Sequence, residues 1–178
     1  YVARRKYWDL YEDCAHLDPE VPAFELADQD PHSRRLLEAS DAGSFDIAQD
    51  NIRRSRRAYF ANISYIDDKI GEVLSALEAT EQSENTIIVF VSDHGDMLGE
   101  RGLWFKMSFL DGSARVPLMI AAPDLPAGRI ETPVSTMDVN PTLADLAGID
   151  LGDILPWTDG ETLVPLARGK VRTAPVLM

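Results

Sequence analysis

Cysteine is almost missing from this chain. Cys14 stands alone among 178 residues, so no intrachain disulfide can staple the fold, and a reducing compartment, the cytoplasm, is the expected location. Basic residues are scarce as well. Seventeen Lys and Arg stand against thirty Asp and Glu, a net charge of −13. That balance leaves no basic face for non-specific nucleic-acid binding; the surplus carboxylates serve solubility, or suit a cationic substrate. No apolar run reaches the length of a membrane span, and no secretory leader pattern opens the chain. Neither nucleic acid nor membrane is therefore an expected partner. What is present is the ordinary mix of a globular domain, 45% hydrophobic and 26% charged, in a chain long enough to bury a core. It opens on Tyr1-Val2-Ala3 and closes on the apolar Pro175-Val176-Leu177-Met178, so it is expected to be cut from a longer protein, the last residues being a truncated strand.

Along the chain, residues 1–50 read as an irregular segment and 51–178 as an α/β core portion, together part of one domain. Aromatics gather at Tyr1, Tyr7, Trp8 and Tyr11, prolines 19, 22 and 31 interrupt any long helix, and Ser33 is placed to cap a short helix to Glu38. From 51 to about 80, Tyr59, Ile63, Ile66, Ile70, Val73, Leu74 and Leu77 fall on one helical stripe, predicting an amphipathic helix. Arg53, Arg54, Arg56 and Arg57 near its start oppose the helix dipole, so they either meet acidic neighbours or form a solvated face. Residues 86–92 form an apolar run with β-branched residues, of the kind buried on both faces of a parallel sheet, and Pro117–Ala122 reads as a second buried strand. Between them lies a loop of some twenty residues, a length that is usually functional. Asp138 or Asn140 caps a short helix ending at Gly148, and a last short helix covers Thr162 to Arg168. Helix, strand, loop, strand and helix in that order predict an α/β fold.

The first strand ends abruptly in Ser92-Asp93-His94-Gly95-Asp96. Ligands of open α/β sheets bind beyond the carboxyl ends of strands, so Asp93 and His94 stand where a metal site would, and Gly95 lets the chain turn away. A carboxylate favours a hard divalent cation, and an imidazole widens the choice toward Mn²⁺ or Zn²⁺. The same pair could simply cap a turn. Lys106, inside Trp104-Phe105-Lys106-Met107-Ser108-Phe109, is either a surface lysine or an ammonium reaching an anionic substrate oxygen. Trp104 is a packing residue or an aromatic substrate platform. Asp96, Glu100 and Arg101 are expected to hold the loop by ion pairs and turn contacts, and Arg115 either to do likewise or to anchor the loop to the sheet.

The eighteen residues from Ser92 to Phe109 resemble the second signature region of sulfatases, of alkaline-phosphatase-like fold. Arg115-Val116-Pro117-Leu118 and Asp138-Val139-Asn140-Pro141-Thr142-Leu143-Ala144-Asp145-Leu146-Ala147-Gly148 extend the likeness, and Tyr7-Trp8-Asp9-Leu10-Tyr11-Glu12-Asp13 with Asn62-Ile63-Ser64-Tyr65-Ile66-Asp67 is similar to the choline-sulfatase branch. The resemblance implies a mixed, largely parallel sheet flanked by helices, present here as a partial domain. It implies hydrolysis of choline-O-sulfate by a homo-oligomeric enzyme. Asp93 and His94 match metal ligands, with calcium the usual ion and manganese or magnesium as alternatives, and Lys106 matches the lysine that contacts the sulfate ester. The nucleophile in such enzymes is a formylglycine made from a Cys-X-Pro-X-Arg cysteine. Cys14 lacks that Pro and Arg, so the nucleophile region is expected before Tyr1 and a further region after Met178. The fragment alone is expected to be inactive and poorly soluble. A phosphonate monoester hydrolase or phosphodiesterase of the same superfamily, and a non-catalytic interaction module, are the competing readings.

Overall fold

The computed structural model describes every residue except 15, 16, 42–44, 46, 173–175, 177 and 178, and for 153–155 the backbone only. The chain divides into two compact units. One comprises Tyr1–Ala79 and His94–Val116; the other comprises Thr80–Asp93 and Pro117–Met178.

The first unit is organised on one long helix. A short helix α1 (Arg5–Trp8) runs into a 3-10 turn, then come α2 (Pro31–Ala39) and α3 (Gln49–Ala79). The aromatics of the N-terminal segment are its anchors. Tyr1 sets its ring edge-on to Tyr59 at 5.3 Å, Tyr7 to Tyr65 at 5.6 Å, and Tyr11 lies against Phe60 at 5.7 Å, each pair adding to apolar burial along α3. Asp68 on α3 accepts from both Lys6 and Tyr7, and Ser64 is bonded to the Tyr11 hydroxyl.

The start of α2 differs from the expected one. Asp30, not Ser33, is the cap, accepting from the His32 and Ser33 amides, and Pro31 occupies the first turn. Proline lacks an N–H that the first turn would leave unused anyway, so Pro31 begins this helix rather than interrupting it.

Three of the four arginines of α3 meet partners, which offsets their unfavourable place on the helix dipole. Arg53 forms a two-pronged pair with Asp18, and Arg57 bonds the Trp8 carbonyl while lying 4.4 Å over its ring. Arg56 is buried, bonded to Glu100 and to the Leu98 carbonyl. Arg54 is exposed. The predicted apolar stripe fares differently. Burial on α3 falls on Arg56, Ala58 and Ala61, while Ile63, Ile66, Val73 and Leu74 remain exposed. Periodicity marks a face that can be buried; the partner has to be supplied by tertiary structure.

In the second unit β1 (Ile88–Val91) pairs antiparallel with β2 (Leu118–Ala121), in register Ile88 opposite Ala121 and Val91 opposite Leu118. Both strands are only half-buried. Their apolar runs suit strands flanked on both sides, and among the described residues each has the other as its neighbour. Helices α5 (Val139–Leu146), α6 (Leu151–Ile154) and α7 (Val164–Ala167) follow. Gly148 ends α5 with φ 71°, its amide on the Asp145 carbonyl, the left-handed stop that glycine adopts at little cost.

Asp138 does not cap α5 with its side chain. It is completely buried and reaches backward, accepting from the Ser135 and Glu161 amides and from both terminal nitrogens of Arg172. The strand expected over 175–178 lies, Val176 apart, outside the described residues. Among the described residues no helix is long and apolar enough to cross a membrane.

Candidate active site

The segment after β1 folds back on itself instead of wandering. Met97 donates its amide to Phe105 O at 2.7 Å, and Gly99 donates to Leu103 O at 2.8 Å, around a 3-10 turn at Glu100–Gly102. Helix α4 (Asp111–Ala114) closes the excursion, where Gly95 donates to the Ser113 carbonyl at 2.8 Å. Met97 and Leu103 are buried with Leu37 of α2, so the loop has a small apolar core of its own. Glu100 accepts from Arg56 and from the Glu20 and Val21 amides, and Asp96 accepts from the Leu98 amide and the Tyr1 hydroxyl. Burial, then the Asp96 carboxylate, pushes the Tyr1 phenol well above its ordinary range. Arg101 lies 4.7 Å over the Phe24 ring. Arg115 and Asp111 approach only to 3.9 Å with both side chains exposed, a contact worth little in water.

Gly95 is required for a different reason from the predicted one. It does not take the left-handed conformation; it is needed for room. A Cβ there would stand 2.1 Å from the Gly112 carbonyl oxygen. Backbone cannot yield as a flexible side chain can, so Gly95→Ala is expected to cost about 1–3 kcal/mol or more, read as a lower urea midpoint. An unchanged midpoint would show that α4 can shift without penalty.

His94 and Lys106 are brought together. Lys106 Nζ lies 2.6 Å from His94 Nε2, and His94 Nδ1 lies 2.8 Å from the Gly95 carbonyl. A carbonyl and an ammonium leave one assignment of the ring: Nδ1 carries the hydrogen and donates to Gly95 O, and Nε2 presents its lone pair to the ammonium. Metal-ligating histidines have this arrangement, one nitrogen held by a backbone carbonyl and the other aimed at a cation. The ammonium occupies the position that a metal ion on Nε2 would take, so the donor chemistry of His94 fits a divalent ion.

Asp93 is exposed and accepts from Ser92 Oγ at a long 3.4 Å. Among the described residues no three His, Cys, Asp or Glu side chains cluster as a metal cage. Trp104 is half-buried, its ring edge beside Gly99, and Lys106 is exposed between the exposed Phe105 and Met107. A cleft of about 250 Å³ lies in the second unit, lined by residues 161–163, 165, 166 and 170–172; none of these is a residue that the sequence singled out for chemistry.

Two features escaped sequence reasoning. Phe105 and Met107, either side of Lys106, take φ of 66° and 73°, a conformation costing residues of this kind on the order of 1–3 kcal/mol each. And His32, from α2, is bonded to the Met107 carbonyl. Nothing in residues 105–107 signals a left-handed turn, since Gly and Asn are absent there, and the His32 contact spans 75 positions.

The sulfatase family model matches residues 27–149. The chain belongs to the sulfatase family. It is 62% identical to the choline-sulfatase of Rhizobium meliloti over all 178 residues, which make up 35% of that relative, and 39% identical to arylsulfatase K of Danio rerio over 67% of the chain and 23% of that protein. The chain thus spans about a third or less of the curated relatives named here. Among solved structures, the phosphonate monoester hydrolase SpPMH from Silicibacter pomeroyi superposes with a TM-score of 0.74 at 28% identity, covering 86% of this chain and 32% of that one. A putative sulfatase yidJ from Bacteroides fragilis superposes with a TM-score of 0.63 at 23% identity, over 96% of this chain and 34% of that one. The fold is the α/β fold of these hydrolases, present as a partial domain.

Proposed function

We propose that the complete protein is a metal-dependent sulfuric ester hydrolase that splits choline-O-sulfate into choline and sulfate. What supports the chemistry is the 2.6 Å pairing of Lys106 Nζ with His94 Nε2; what supports the substrate is the 62% identity to a choline-sulfatase. The two units are portions of one catalytic domain, whose formylglycine nucleophile comes from outside these 178 residues. Cytoplasmic placement and homo-oligomeric assembly belong to the same proposal, the first supported by the solitary cysteine and the second by family likeness.

Asp93 and His94 hold a divalent ion, calcium by family likeness, with manganese and magnesium the alternatives. Such an ion polarises the sulfuryl oxygens and lowers the pKa of the attacking hydroxyl. His94 is kept in the binding tautomer by the Gly95 carbonyl. One lone pair cannot serve two cations, so with His94 holding an ion the Lys106 ammonium would be free, beside that imidazole, to meet the ester. Lys106 would offset charge on the leaving alkoxide oxygen, or protonate it and regain that proton from water, as the nucleophile's bond to sulfur forms and the S–O bond to choline breaks. Overall one water is consumed, its hydroxyl ending on sulfate and its hydrogen on choline. Trp104 offers an aromatic face to the quaternary ammonium.

The competing reading within the superfamily draws on the likeness to SpPMH. Assay of the purified complete enzyme with choline-O-sulfate and with an aryl phosphonate monoester separates them: sulfate preference is expected, and the reverse preference moves the assignment. Inactivity toward both, with no metal retained, favours a non-catalytic module. Asp93→Asn is expected to lower the metal content of the complete enzyme, measured by elemental analysis. Content equal to wild type removes Asp93 from the ligand set.

A further inference from the structure

Lys106 sits between two residues in the left-handed region, Phe105 and Met107. Neither has the short polar side chain that tolerates that region, so contacts from elsewhere must hold the turn. Both flanking carbonyls are in fact clamped. Phe105 O takes the Met97 amide at 2.7 Å. Met107 O lies 2.7 Å from His32 Nε2; a carbonyl only accepts, so that nitrogen carries the hydrogen. The Asp30 cap fixes the first turn of α2 by binding the His32 and Ser33 amides, which aims the His32 ring. Further along the same helix, Leu37 is buried against Met97 and Leu103. Helix α2 therefore grips the lysine-bearing loop at two points, and the His32 point is the carbonyl of the residue that follows the lysine.

We propose that His32 is a positioning residue for Lys106, its Nε2–H holding the Met107 carbonyl so that the left-handed turn aims Lys106 Nζ at His94 Nε2. This rests on the role given to Lys106 under Proposed function. His32 touches neither ester nor ion; it acts through the backbone that carries the amine. Because His32 is exposed, its replacement removes a hydrogen bond and little buried surface.

The test uses the complete enzyme with His32→Leu, His32→Gln, Lys106→Ala and the His32→Leu/Lys106→Ala pair, assayed on an alkyl sulfate and on an aryl sulfate with a more acidic leaving group. His32→Leu is expected to lower kcat on the alkyl ester about 3- to 10-fold, the worth of one hydrogen bond, with KM little changed. The aryl ester, whose leaving oxygen needs less help, should suffer less. His32→Gln, which donates from a similar reach, should recover most of the loss. In the Lys106→Ala background His32→Leu should cost nothing further, since the two act as one unit. Should His32→Leu not accumulate, His32→Asn, whose amide is one bond shorter than that of Gln, takes its place in the same comparison. An equal loss with and without Lys106, an equal loss on both esters, or failure of Gln to rescue overturns the assignment. Lys106→Ala with near wild-type turnover overturns the reading of the lysine itself, and is recognised from that single variant alone.

Discussion

Lys106→Ala in the complete enzyme is expected to lower turnover of a sulfate ester by about 10²–10³-fold, the usual cost of removing one preorganised donor from a developing negative charge. The fold should survive. Lys106 is exposed and its amine pairs with His94 Nε2, so its removal opens no cavity and strands no buried charge. With His94 as the proposed ligand, metal content should hold or rise, because ammonium and ion would compete for the same imidazole nitrogen. That sign separates a substrate-facing lysine from a structural one: a lysine needed to build the ligand site would take the metal with it. Turnover within a few-fold of wild type would remove Lys106 from the chemistry. Lost turnover together with lost metal would make it a scaffold residue.

The largest stability loss is expected at Asp138. Its carboxylate is fully buried and makes four hydrogen bonds, two to the guanidinium of Arg172, whose side chain is 6% exposed. Asp138→Asn leaves that buried guanidinium with only the half-exposed Glu161 carboxylate, 3.7 Å from its Nε, as counter-charge, which costs about 3 kcal/mol, visible as a lower urea midpoint. Replacing Asp138 and Arg172 together by apolar residues should recover much of the loss, because the pair's desolvation cost disappears along with its attraction. A loss below about 1 kcal/mol for Asp138→Asn would mean that water reaches the pair. The acid limb follows from the same contacts. Burial pushes the Asp138 pKa up, but the Arg172 hydrogen bonds and the Glu161 and Ser135 amides outweigh it and bring it below the ordinary carboxylate value. The folded chain thus binds this proton less readily than the unfolded chain. The contribution is full above the unfolded value of about 3.9 and is lost as pH falls through the depressed folded value. Wild type should lose stability over that acid range, and the Asp138→Asn variant should show a flatter limb.

Much of the local structure was legible in the residues. The apolar stripe marked α3, which runs Gln49–Ala79, and the two apolar runs marked β1 and β2. Gly148 marked the end of α5, and the prominence of Ser92–Phe109 led to the sulfatase family, which the match over residues 27–149 shows. These signals are local, carried by periodicity, by backbone freedom and by motif order. Capping was read less well. Ser33 was expected where Asp30 with Pro31 does the work, and Asp138 was expected to cap α5 where it anchors Arg172. Short polar side chains serve either role, and the choice depends on what lies nearby in space.

Residue types and their order alone determined that this chain is α/β, and they named Asp93, His94 and Lys106, at and beyond the end of β1, as the residues to test. Tertiary structure alone decided which partner each of them meets. His94 takes its tautomer from a backbone carbonyl, and Lys106 stands in a left-handed turn with no glycine to announce it. The clamp on that turn comes from His32, 75 positions away. A conformation that the local sequence disfavours is held only by contacts closed through space, so no window of neighbouring residues can encode it.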